Sequence, residues 1–217
     1  MHDELAEARK LVDMLRQNLP VSISVAAMGV REKTPYNLLS VRESLAWRTE
    51  ELGRAACDML ERGDLAAGML LTRAVTESAA FIFRLKELLE TRSQRSALEL
   101  QEIVLRMIAG WKNDKEMPEA ISVLTLINHM EKKITGARQS YDSLSEFAHP
   151  NWSGVAGLFS EVNHHTDVTT FGKNLKRTER ARQVAVTLLT ASLEIFCHSY
   201  NKISDEMPKY ISRLTPL

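Results

Sequence analysis

Ser, Glu, His, Asn and Trp crowd around one proline in the stretch YDSLSEFAHPNWSG, Tyr141 to Gly154. Pro150 has no backbone donor and drives His149 out of helical dihedrals, so a helix through Tyr141 must stop at about Ala148 or His149. Helical spacing puts Tyr141 and Ser145 on one face, with His149 one turn beyond Ser145. The His149 imidazole then stands at a helix C-terminus, where the dipole favours its protonated form. A histidine placed there either donates a proton near neutral pH or caps terminal carbonyls that need partners in any case.

A second polar group lies on a segment that is otherwise apolar, LAAGMLLTRAVTESAAFIFRLKELLE. Arg73, Glu77 and Arg84 fall on one face of the helix it predicts. Buried charges are costly unless paired. The stripe is therefore either an internal salt bridge tying two helices or the wall of a site facing His149. In the second case Arg73 holds a phosphate and Glu77 orients the imidazole. Glu194 and His198 form another polar pair at helical spacing, read as a satisfied core pair. His164, His165 and Asp167 invite a metal, but adjacent histidines in a turn diverge and no second ligand pair has metal spacing. No metal and no cofactor is expected.

Farther on, GKNLKRTER brings Lys173, Lys176, Arg177 and Arg180 to the start of a helix. This is either a solvated basic edge or a phosphate-binding one, since helix N-termini and basic side chains converge on anions. Asn151 and Trp152 on one side and Phe171 on the other add a hydrogen-bonding group and two rings able to stack on bases.

These residues need elements to hold them. Leu5, Ala8, Val12, Leu15 and Leu19 recur at helical spacing up to Pro20. A second helix is predicted over about 38–62 with a stop at Gly63, and Asp64 is placed to cap the third. Further helices are predicted over about 95–109, 119–134 (opened by Pro118), 138–148 and 177–203, with WKNDKEMP a loop and 206–217 a tail. Between 150 and 175 two β-leaning runs, LFSEV and DVTTF, flank NHHT and predict a small hairpin or ordered loop. The fold class is all-α: an N-terminal helix and connector over 1–33, a helical bundle over 34–205 carrying the 150–175 insertion, and the tail.

Composition limits the function classes. Twenty-eight basic residues balance 28 acidic ones, which excludes a generally basic nucleic-acid surface but not a local patch. The first ten residues lack a signal-peptide pattern, and the longest nearly uncharged runs are about half of the ~20 residues that cross a bilayer, so no membrane partner is expected. Cys57 and Cys197 stand far apart inside helical patterns, as in a cytoplasmic, reducing compartment.

Arg73-x-x-x-Glu77 followed by YDSLSEFAHPNWSG, together with PYNLLSVRESLAWR ahead of the central helix, resembles the HEPN-like (higher eukaryotes and prokaryotes nucleotide-binding) superfamily over roughly residues 34–200. The resemblance implies a helical bundle, often a homodimer. It also implies either a metal-independent endoribonuclease of a toxin–antitoxin or phage-defence system, or a non-catalytic relative. RNA or a nucleotide, and a protein such as an antitoxin, are the partners it suggests. In a catalytic member, His149 would be the general acid or base and Arg73 would stabilise the phosphorane, with Glu77, Ser145 and Tyr141 around them. The ribonuclease pattern of an arginine four to six residues before a histidine is absent at His129, His149, His164, His165 and His198. Arg138, eleven positions before His149, lies ~16 Å away along a helix.

Overall fold

A computed structural model of the protein describes residues 5–24, 26–111 and 118–214. Eight α-helices and a two-stranded hairpin make up the described residues: α1 (Ala6–Gln17), α2 (Thr34–Glu61), α3 (Leu65–Glu90), α4 (Ala97–Ala109), α5 (Val123–Glu131), α6 (Ala137–Ala148), α7 (Ala156–Phe159), β1 (Ser160–Asn163), β2 (Val168–Phe171) and α8 (Glu179–Ile211). The fold is an all-α bundle with a small hairpin inserted before its last long helix.

The apolar stripes of α3 make it the central element, packed against α8, α2, α5 and α6. Val75, Ala79, Ala80, Ile82, Leu85 and Leu88 are fully buried, as expected of a helix apolar on more than one side. Length and composition alone would let α3 cross a bilayer, but most of it is enclosed by other helices, which is the signature of a core helix. Its hydroxyls stay satisfied: Thr72 and Thr76 donate to carbonyls one turn back at 2.8 and 3.0 Å, and Thr76 meets Ser192 of α8 at 2.8 Å. The N-terminal helix joins the same core through Leu5, Ala8, Leu11, Val12 and Leu15.

Several predicted boundaries move. Helix α5 begins at Val123, not 119, because Ser122 caps it by accepting from the Thr125 N–H at 3.2 Å; Pro118 stays outside. Asp64 makes no capping bond to α3 and instead accepts from Lys173. The last helix continues through Pro208 to Ile211, with Ile203, Met207 and Tyr210 buried one turn apart, so the first half of the expected tail is helix. The stops at Gly63 and Gly136 are left-handed, with φ of 75° and 91°. The hairpin pairs Ser160 with Phe171 and Asn163 with Val168. Most of the loop predicted at WKNDKEMP falls outside the described residues.

Candidate functional site

Helix α6 is fixed at both ends. At its start, the Glu131 carboxylate accepts from the backbone N–H of Gly136 at 3.1 Å and of Arg138 at 2.8 Å; these bonds hold Glu131 below the usual carboxylate range. Ala137, Tyr141 and Leu144 then form the buried stripe that docks α6 on α3.

That docking joins three of the expected site residues. The Tyr141 hydroxyl accepts from Arg73 Nη2 at 2.8 Å and Nε at 3.2 Å, and donates to Glu77 Oε1 at 3.0 Å. Arg73 Nε is also 3.2 Å from Glu77 Oε1, and both side chains are about a quarter exposed (29% and 26%). The Arg73 guanidinium lies 5.1 Å from the Tyr141 ring centroid. Burial pushes the Tyr141 phenol above its ordinary range, and the nearby Glu77 carboxylate adds to the shift. Burial pulls Arg73 down, but the Tyr141 and Glu77 partners outweigh it and the net shift is upward.

The other two residues do not join them. The Ser145 hydroxyl donates to the Tyr141 carbonyl at 2.9 Å, a back-bond within α6. His149 is the C-cap in extended geometry (φ −86°, ψ 148°) and is exposed. Among the described residues its side chain makes no hydrogen bond or ion pair. Eight residues at a helical rise of ~1.5 Å put its backbone about 12 Å beyond that of Tyr141. Arg84 turns to Glu87, not to the cluster, and Arg138 is held by Asp142 at 2.8 Å.

The polar residues after Pro150 build a turn. Asn151 Nδ2 donates to Glu146 of α6 at 2.7 Å, while its Oδ1 accepts from the Gly154 N–H at 3.0 Å. Gly154 is required here, since a Cβ would stand 2.2 Å from the His149 carbonyl oxygen and 2.8 Å from that of Phe147. Trp152 is 68% exposed, and its carbonyl accepts from the Gly157 N–H at 2.6 Å.

The basic edge is divided as well. Lys173 Nζ lies 2.6 Å from Asp64 and pins the end of the hairpin to the α2–α3 junction; that bond lowers the Asp64 pKa. Lys176 and Arg180 are exposed and make no ion pair among the described residues, and Arg177 lies in the short 3-10 turn before α8. His164 and His165 sit in the exposed hairpin turn, and no group of three candidate metal ligands forms among the described residues. Glu194 and His198 are both exposed on α8 rather than forming a core pair.

Sequence reasoning missed two further places where an arginine, a glutamate and a tyrosine meet. Arg42 is buried, lies 3.8 Å from the Tyr200 ring centroid and is 3.2 Å from Glu43, while the Tyr200 hydroxyl donates to Glu43 at 2.6 Å. Arg92 pairs with Glu206 at 3.1 Å and lies 6.0 Å from the Tyr210 ring centroid. Adjacent Arg42 and Glu43 give no helical-face signal, and their tyrosine lies 157 residues away. A cleft of about 620 Å³ lies elsewhere, where the start of α1 meets the end of α2 and the start of α8. Its arginines are compensated: Arg9 by Asp58 and Glu61, Arg62 by Asp64, Arg182 by Glu179.

Compared with known proteins, the chain matches no family model, no curated protein and no solved structure.

Proposed function

We propose that the protein is a non-catalytic, HEPN-like interaction module of the cytoplasm that pairs with a second copy of itself. The observation that carries this reading is on α4. Leu100, Val104 and Met107 face the core, whereas Leu98, Leu105 and Ile108 are exposed along another side, Leu98 at 74%. Steps of seven and three residues are those of a helix-pairing seam. An apolar stripe left open on a small domain is an interaction surface. Trp152 and Val155 on the turn, with Val162 and Phe171 (77% exposed) on one face of the hairpin, are further exposed apolar residues and suit a protein partner such as an antitoxin.

The non-catalytic half of the reading is supported by Arg73, Glu77 and Tyr141 satisfying one another, and by a similar arrangement of Arg42, Glu43 and Tyr200. A second reading, an RNA- or nucleotide-binding protein with metal-independent endoribonuclease activity in toxin–antitoxin or phage defence, is favoured by the exposed cations Lys176 and Arg180, which make no ion pair among the described residues and follow exposed Phe171 in the chain.

Sedimentation equilibrium tests the pairing. The wild-type chain is expected to be a dimer in the micromolar range, Leu105→Glu to shift it toward monomer, and Phe171→Ser to leave it paired. A wild-type monomer throughout that range overturns the reading.

A further inference from the structure

On a third side of α4, away from the core stripe and the exposed seam, a pocket of about 330 Å³ opens between α3, α4 and the chain entering α5. Arg84 of α3, Arg106 of α4 and His129 of α5 converge on it, beside the hydroxyls of Ser122 and Thr125. The wall is built rather than loose: Arg106 Nε donates to the Glu119 carbonyl at 3.1 Å, and the Trp111 N–H donates to the Pro118 carbonyl at 2.9 Å. Ser122 and Thr125 hydroxyls are 2.9 Å apart.

Among the described residues, the charge around this pocket does not balance. Facing it or close to it are Arg84 and Glu87 from α3, Arg95 from the turn before α4, Arg106 from α4, Glu119 from the chain entering α5, His129 from α5 and Lys132 just after it. Glu87 meets Arg84 only at 3.5 Å, although the Arg84 side chain is just 13% exposed. Arg106 has no carboxylate partner among the described residues, and Glu119 gives it a carbonyl while its own side chain is exposed. The crowding leaves a mark on both titratable cations. Burial, with Arg84, Lys132 and Arg95, holds His129 below its ordinary value, and burial with Arg95 lowers Arg84.

We propose that this pocket binds a phosphate-class oxyanion, held by the Arg84 and Arg106 guanidinium groups with His129 as a third donor. Arginine suits tetrahedral oxyanions because its planar fork presents paired donors to two oxygens. A bound anion offsets the repulsion between the two guanidinium groups and the protonated form of His129, so by linkage its binding and the protonation of His129 favour each other. The pocket volume suits a small phosphorylated molecule and not a folded macromolecule. The proposal is independent of helix pairing, since the apolar seam of α4 uses different residues.

The test is an NMR titration of the histidine C–H signals with inorganic phosphate, against chloride at matched ionic strength, with His129 assigned through His129→Gln. A saturable shift of the His129 signal is expected with phosphate and not with chloride, together with a rise in its pKa. Arg106→Gln, a change at a partly exposed side chain, is expected to weaken the response at least about tenfold. Arg84→Gln should do the same, but this side chain is more enclosed and its loss risks the fold, so Arg106→Gln decides. No saturable response, an equal response to chloride, or an undiminished response in folded Arg106→Gln overturns the proposal. Ribose phosphate and adenosine monophosphate as further probes tell a sugar phosphate from a nucleotide as the source of the anion.

Discussion

The Tyr141 hydroxyl donates to Glu77 at 3.0 Å while accepting from Arg73 at 2.8 Å, so one phenol closes the ion pair of α3 from the face of α6. Arg before Glu at four residues is the weaker order for a helix pair. The pair becomes useful when a third group from another helix locks it. With its donor and acceptor both engaged, the phenol ties α6 to α3, and the cluster works as a clasp between helices rather than as an open phosphate site. Tyr200 does the same for α2 and α8 through Arg42 and Glu43.

Two variants measure the clasp. Tyr141→Phe keeps the ring against α3 and removes only the hydroxyl, so it should lower stability by about 1 kcal/mol. Glu77→Ala leaves Arg73, only 29% exposed, without its carboxylate and should cost about 2 kcal/mol, between the values for a fully open and a fully buried pair. Urea unfolding of both reads these differences directly. A Glu77→Ala curve superimposed on wild type, with tighter phosphate binding at this position, would return Arg73 to the role of an open anion ligand.

His149 separates the two functional readings. It is exposed and makes no side-chain bond among the described residues, so His149→Ala should change stability by less than about 0.5 kcal/mol. Mixed RNA incubated with the purified protein in a chelator should remain intact with the wild type and the variant alike. Cleavage by wild type that disappears in His149→Ala would establish the ribonuclease reading and refute the non-catalytic one.

Asn151 and Gly154 should show that the motif after Pro150 is architecture. Asn151→Ala loses its bonds to Glu146 and to the Gly154 N–H, which predicts a loss of about 1 kcal/mol. Gly154→Ala drives a methyl against the last carbonyls of α6 and should cost about 2–3 kcal/mol. A circular-dichroism melt orders them. If Gly154→Ala melts like wild type, the turn is not what holds the end of α6.

What the sequence disclosed was local. Pro150 forces the stop of α6, and the β-leaning runs LFSEV and DVTTF place both strands of the hairpin to within two residues. The start of α5 was misplaced because Pro118 and Ser122 are both acceptable first-turn signals, and only the capping bond decides between them. The end of α8 was misplaced because Pro208 reads as a breaker, although burial of Met207 and Tyr210 holds the helix through it. The Arg73–Glu77–Tyr141 meeting was legible from helix faces. The His149 part was not, since a shared face says nothing of distance along the axis. Arg106 and His129 were illegible as a pair, because α4 packs mainly on α2 and α5 on α3, so tertiary packing sets how close the two come.

Alkaline pH tests the second clasp. Burial and the bond to Glu43 push the Tyr200 phenol up to about 12, whereas an unfolded tyrosine titrates near its ordinary value of about 10. The folded state therefore holds this proton more tightly than the unfolded state. The resulting stability is fully present below about pH 10 and is lost as pH rises through about 12. Two units correspond to roughly 2–3 kcal/mol at most. Cys57 and Cys197, each pushed by burial to about 11, lose their share over about pH 9 to 11, and Tyr141 and Tyr210 are shifted upward too. Unfolding free energy should thus fall between pH 9 and pH 12 in the wild type, by urea titration at each pH. Tyr200→Phe is expected to be less stable at neutral pH, having lost its bond to Glu43, yet to fall less steeply above about pH 10. The two curves should converge as pH approaches 12, because ionisation removes from wild type the hydroxyl donor that the variant already lacks. Parallel curves would mean that the Tyr200 proton is held no more tightly in the fold than outside it, and the clasp between α2 and α8 would then rest on Arg42, which lies over the Tyr200 ring and donates to Ser204 at 2.6 Å.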